Sequence, residues 1–274
     1  ALDAAPVAGK GTTVAAPSPL RERASPAMRP ARRHRRFAFA AAAMVSVALV
    51  ALLPQLRLLA LSDYRTGTGE RRELALPDGS RLQLDAGSAV AVDFQPRRRA
   101  VRVLSGRAFF DVARDPARPF SVEAGGLRIT DIGTAFEVGR DAGAVSVAVE
   151  SGIVDVEAGG ARLARLLAGQ RLAVDSEAPA AAQRDAVAPA LIASWRRGRL
   201  VIDDQSIASI ADRLRAYAPG VIVVMDRRLA AQRVSGSYAL DDPAAALQAA
   251  VQPYGGRVRR LTPFLLIVAA GAAA

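Results

Sequence analysis

The 274-residue chain contains no cysteine, one histidine and one tryptophan, and aromatic residues make up only 5% of it. Without cysteine, neither a disulfide framework nor a thiolate zinc site can be built, although this leaves the compartment open. The one histidine, His34, lies within the run RPARRHRR (Arg29–Arg36), so the regions with globular patterning lack the usual general base and commonest metal ligand. That inventory argues against an enzyme; no catalytic residue, cofactor or metal is expected. A glycan hydrolase would need a pair of carboxylates in a cleft. The pairs Asp203-Asp204 and Asp241-Asp242 both read as caps at strand or helix starts. AGKGTT (Ala8–Thr13) lacks the first glycine of a phosphate loop and the Ser/Thr after the lysine.

Charge is present but unevenly placed. The net charge is +11, and residues 1–36 hold eight Lys/Arg against two Asp/Glu, or +6 of it. The remainder is spread thinly, so direct nucleic-acid binding is not expected. Residues 1–36 are rich in Ala, Pro and Arg without apolar periodicity and read as a disordered cytoplasmic tail. FAFAAAAMVSVALVALL (Phe37–Leu53) carries no charge and spans about 26 Å as a helix, against about 30 Å for a hydrocarbon core. Leucines after Pro54 extend it, giving an expected transmembrane helix over residues 37–60. The arginines before it place the N-terminus in the cytoplasm and the bulk of the chain across the bacterial inner membrane.

Residues 61–176 read as an all-β, sandwich- or barrel-like domain. In ELALPDGSRLQLDAGSAVAVDF (Glu73–Phe94), Leu74 and Leu76 point one way. Pro77-Asp78-Gly79-Ser80 turn the chain, and Leu82 and Leu84 return the apolar face to register. Short strands with a glycine turn about every ten residues continue to Asp175. Phe109 and Phe110 are expected on opposite faces of one strand, leaving one of them free to be exposed. Arg97–Arg99 and Arg227-Arg228 are expected in solvated loops. Residues 177–194 read as an Ala/Pro-rich linker, partly helical.

A different pattern begins at Trp195. QSIASIADRLRAYA has apolar residues at Ile207, Ile210, Ala211, Leu214 and Tyr217, the spacing of a helix face. Asp242 is a candidate N-cap with Pro243 at the first helical position. VIVVM (Val221–Met225) reads as a buried strand. The order β-α-β-β-α-β-β predicts a small α+β module over residues 195–274, with two helices on one face of one short sheet.

The stretches LPDGSRLQLDAGS, VLSGRAFFDVARDPARPFSVEA, DIGTAFEV, VAVESGIVDV, LLAGQRL, WRRGRLVIDDQSIASIADRLRAY and RVSGSYALDDPAAALQ resemble the FecR-type regulators, membrane-spanning anti-sigma proteins controlling iron-uptake genes. The likeness runs from about Tyr64 to Ala270. It implies a periplasmic FecR-like β domain followed by a module similar to the short N-terminal domain of secretins and TonB-dependent receptors. It also implies two partners: the periplasmic signalling domain of a TonB-dependent outer-membrane receptor, and an extracytoplasmic-function sigma factor held by a cytoplasmic helical domain. Before Phe37 this chain has no aromatic residue and a tail about half the family's length, so the sigma-binding half is expected to be missing or truncated. A cell-envelope scaffold without sigma-factor output is the alternative.

Most signature residues are expected to be structural: Asp78, Gly79, Ser80, Gly106, Phe110, Pro119, Phe120, Gly133, Thr134, Phe136, Gly152 and Trp195. Trp195 is expected to pack across the junction of the two domains. Partner binding is assigned to an open sheet edge of the terminal module, either Arg257–Ala270 or Gln232–Tyr238. Val234, Ser235, Tyr238, Val258, Leu261 and Phe264 are the candidate contacts.

Overall fold

A computed structural model describes residue 56 and residues 58–271, apart from 132, 142 and 176–180. The expected tail and nearly all of the expected membrane segment lie outside the described residues. Among the described residues no helix is long and apolar enough to cross a membrane.

Residues 64–186 are mainly β. Thirteen strands form one curled sheet: β1 (Tyr64–Arg65), β2 (Arg72–Ala75), β3 (Arg81–Leu84), β4 (Ala89–Gln95), β5 (Arg98–Asp111), β6 (Phe120–Ala124), β7 (Leu127–Asp131), β8 (Ala135–Asp141), β9 (Ala144–Ser151), β10 (Ile153–Ala158), β11 (Ala161–Leu167), β12 (Gln170–Asp175) and β13 (Gln183–Ala186). The last of these occupies part of the expected linker and extends the sheet by pairing with β12.

The long strand β5 joins two halves. Its first part pairs with β4 and, in parallel, with β6. Its second part pairs with β3 and β8. Between them the register slips opposite Ala89 and Val90, and Gly106 adopts φ 76°. A Cβ at Gly106 would stand 2.4 Å from the Ser88 hydroxyl, so only glycine lets the two strands approach there.

Alternation then fills the space between the halves. Leu82, Leu84, Phe110, Phe136, Val138 and Val147 come from one half; Val101, Phe120, Val122, Ile129 and Val156 come from the other. Phe110 stacks on Phe136 with ring centroids 5.2 Å apart and meets Phe120 at 5.8 Å. All three rings are fully buried, each contributing about 1.5–3 kcal/mol by burial.

The terminal module contains β14 (Arg199–Ser206), α1 (Ile207–Leu214), β15 (Val221–Val224), α2 (Arg227–Ala231), β16 (Arg233–Ala239), α3 (Pro243–Val251), β17 (Gly256–Thr262) and β18 (Leu265–Ala270). The expected helix face is present: Ile207, Ile210, Ala211 and Leu214 are buried, and Ser206 caps the helix by accepting from Ser209 N at 3.2 Å. Asp242 caps α3 through the Ala244 and Ala245 amides, with Pro243 following.

Three expectations are corrected. There are two small sheets, β14-β16 and β15-β18-β17, and a third short helix, α2. Val221–Met225 is an edge strand whose Ile222 alone is fully buried, because β15 pairs only with β18. Asp203 and Asp204 cap no helix: they sit at a break in the β14–β16 register, where Asp204 has φ 45° and pairs with Arg233 Nε at 2.7 Å.

Candidate functional site: the module junction and the terminal sheet

Of the signature residues of the β domain, Ser80, Phe110, Phe120, Thr134 and Phe136 are buried, while Gly79, Gly133 and Gly152 stand at exposed turns. Asp78 turns the β2–β3 hairpin by accepting from Ser80 N (3.0 Å) and Ser80 Oγ (2.7 Å), with Gly79 at φ 84°. Ser80 Oγ in turn accepts from Ala113 N at 3.0 Å. The Asp78 carboxylate also receives Arg99 Nη1 at 2.8 Å, with side-chain exposures of 4% and 1%.

Arg99 was expected in solvent with its neighbours Arg97 and Arg98, and it is instead a core residue. Its guanidinium donates to the carbonyls of Arg118 (2.7 Å) and Ala113 (2.9 Å) and lies over the Phe120 ring. A buried guanidinium is tolerated because its charge and its donors are matched. Arg227 and Arg228 likewise stand in a short helix rather than a loop.

Gly133 and Thr134 donate their amides to Asp131, so neither amide is free to hold an anion. Gly152 has φ 85°, and a Cβ there would come within 2.3 Å of Thr134 Cγ2. Pro119 is exposed beside the buried Phe120.

Trp195 does occupy the junction. It is 2% exposed and donates its indole N–H to Glu137 Oε1 of β8 at 2.9 Å. Ala193 reaches the other oxygen of that carboxylate at 3.3 Å. The Arg196 guanidinium lies 3.6 Å from the centroid of the Phe109 ring and pairs with Glu150. Neither Phe109 nor Phe110 is therefore exposed. Phe109 and Ala148 point away from the β core and are buried by the terminal module instead.

A polar cluster closes the same junction farther along. Tyr217, beyond α1, donates its hydroxyl to Asp85 at the end of β3, and the Ala86 amide donates to the same oxygen at 2.8 Å. Arg107 of β5 pairs with Asp141 and stands 3.8 Å from Glu137. Arg71 binds the Trp195 carbonyl at 2.7 Å, and Gly69 N binds the Ala216 carbonyl at 2.9 Å.

Burial pushes the Asp85 carboxyl up to about 6, against the opposing effects of the Tyr217 hydroxyl, the Ala86 amide and Arg107. Burial first, and the Asp85 charge second, push the Tyr217 phenol upward. Arg213 of α1 is brought down to about 10 by burial and then by Arg107.

None of Asp85, Arg107, Glu137, Glu150, Arg196 or Tyr217 was singled out as a site residue from sequence. The available signal was polarity on the outward face of strands, as at Glu137 between Phe136 and Val138. Local alternation assigns that face to solvent.

The candidate partner residues divide. Val234 is buried at 9% exposure, and Tyr238 and Val258 are half-buried against the module core. Ser235 Oγ accepts from Asp204 N and donates to Asp203. Leu261 and Phe264 are 60% and 67% exposed, at the turn end of the β17–β18 hairpin.

The free edges of the three-stranded sheet are partly occupied. Gln248 accepts from Val258 N and donates to the Gly256 carbonyl at the β17 edge. Arg215 Nη2 takes the Ile222 carbonyl on the β15 edge at 2.9 Å. The outer face is barer: Val221, Val223 and Met225 are exposed, Leu265 and Ile267 are half-exposed, and exposed Arg257 and Arg259 lie beside them on β17.

Among the described residues no group of His, Cys, Asp or Glu is placed to hold a metal ion. The fold and junction define a class: a curled β domain with an α+β module packed on its outer face.

Residues 62–155 match the family model described as FecR protein. Two crystal structures of a candidate anti-sigma factor from Parabacteroides distasonis ATCC 8503, at 1.65 and 2.50 Å resolution, share its fold. Each is 24% identical, matches 76% of this chain with a TM-score of 0.68, and is itself covered to 99% and 98%. No curated protein matches the chain significantly.

Proposed function

We propose that the chain is a non-enzymatic sigma-factor regulator anchored in the bacterial inner membrane. In this reading its terminal module contacts the periplasmic signalling domain of a TonB-dependent receptor and so ties an extracytoplasmic-function sigma factor to iron uptake. The FecR domain at residues 62–155 supports regulation of a sigma factor. The observation that carries receptor contact is the apolar, arginine-flanked outer face of the β15-β18-β17 sheet, ending at exposed Leu261 and Phe264. Its partly occupied edges favour docking through side chains of this face over addition of a strand. The apolar run Phe37–Leu53, preceded by arginines, supports the membrane anchor.

The test is titration of the full chain in detergent with the purified signalling domains of the host cell's TonB-dependent receptors. At least one is expected to bind, and the L261S/F264S variant is expected to weaken it about tenfold or more. Binding by none of them would refute receptor contact and favour the scaffold reading. Binding that the double variant leaves unchanged would move the contact elsewhere on the chain.

A further inference from the structure

We propose that the junction between the β domain and the terminal module is a proton-operated latch, with the hydrogen bond from the Tyr217 hydroxyl to the Asp85 carboxyl as its joint. Asp85 stands at the end of β3 and is 4% exposed. It is covered because Tyr217 descends on it from the turn after α1. The charged groups around the pair come from every packed element: Arg107 on β5, Glu137 and Asp141 on β8, Arg71 before β2, and Arg213 on α1. Arg107 is shared between Asp141 and Glu137 as well as Asp85, so no single counter-ion is dedicated to this carboxylate.

Docking and protonation are therefore linked. With the module seated, Asp85 is desolvated and holds its proton up to about pH 6; with the module lifted it returns to water and its ordinary value of 3.8. The seated state binds the proton more tightly, so seating is favoured fully at acid pH and weakens as pH rises through 6. The separation of those two values corresponds to about a sixtyfold change in the docking equilibrium between pH 4 and pH 7. Trp195, Phe109 and Ile192 supply pH-independent apolar contact across the same junction, so the latch tunes docking rather than abolishing it. This holds whatever the module binds.

Trp195 is the only tryptophan, and its indole N–H donates across the junction to Glu137, so one NMR signal reports the latch. Exchange of that proton with solvent is followed in the full chain from pH 4 to 7.5 and corrected for its intrinsic rate. Its protection is expected to fall about sixtyfold with rising pH, while core amides such as Val147 change less. A pH-independent indole, or one that loses protection together with Val147, overturns the proposal.

The D85N variant is expected to flatten the profile, and a transition that persists in it overturns the assignment to Asp85. The Y217F variant keeps the ring but removes a hydrogen bond that favours the ionised carboxylate, so the midpoint is expected to move to higher pH. A midpoint unmoved or lowered overturns the joint even if D85N does not fold.

Discussion

Replacing Arg99 by methionine isolates the role of a charge that the structure places inside the β domain. Methionine retains most of the side-chain length, so the cavity is small and the effect is mainly electrostatic. The change strips the buried Asp78 carboxylate of its counter-ion at 2.8 Å and deprives the Arg118 and Ala113 carbonyls of their donor at 2.7 and 2.9 Å. Breaking a buried pair by removing one partner costs about 3–5 kcal/mol, and the two carbonyl losses overlap with that figure rather than adding to it. At about 2–4 °C per kcal/mol, melting should fall by roughly 6–20 °C.

Guanidinium unfolding followed by circular dichroism measures the loss directly. Methionine at the exposed neighbours Arg97 or Arg98 should change stability by no more than about 0.5 kcal/mol. In the R99M/D78N double variant the carboxylate charge is also gone, so its destabilisation should fall short of the sum of the single changes by about 1 kcal/mol or more. A loss below about 1 kcal/mol for Arg99→Met would show that the guanidinium is dispensable and refute the reasoning.

Gly152→Ala forces a side chain into a positive-φ site against Thr134 and should destabilise by about 2 kcal/mol or more. Gly126→Ala, at φ 84° with no atom within 4 Å of its Cβ, should cost about 1 kcal/mol in the same denaturation assay. Trp195→Phe keeps a ring in the junction but leaves the Glu137 carboxylate short of a donor, a loss of about 1–3 kcal/mol measurable by calorimetry. The L261S/F264S variant should melt within a few degrees of the parent chain, because both side chains are already in water. A large drop in its melting temperature would mean that the hairpin tip supports the fold.

Much of the β domain was legible because its signals are local. Alternation at Leu82, Leu84, Val145, Val147 and Val149 names the buried face, and turn chemistry at Asp78-Gly79 or Gly152 names the reversals. The helix face of α1 and the Asp242-Pro243 start of α3 follow from three- and four-residue spacing and capping preferences. Trp195 was placed at the junction because it stands where one pattern ends and another begins. Arg99 was not legible: three consecutive arginines read as solvent-facing, and only the return of residues 113–118 past β5 supplies the acceptors that let one of them turn inward.

The sequence by itself determined most strands and turns of the β domain, the apolar face of α1 and the start of α3, and that cysteine and histidine are scarce. Those properties depend on neighbours a few positions apart and on composition. Tertiary structure alone decided that Phe109 and Ala148 are buried outside the β core, that the module splits into two sheets, and that Asp85 meets Tyr217. These contacts join residues more than a hundred positions apart in the last case, and no periodicity within either segment encodes its partner. A face that looks solvent-exposed within one strand becomes interior once a second module settles on it, because burial is a property of the assembled surface.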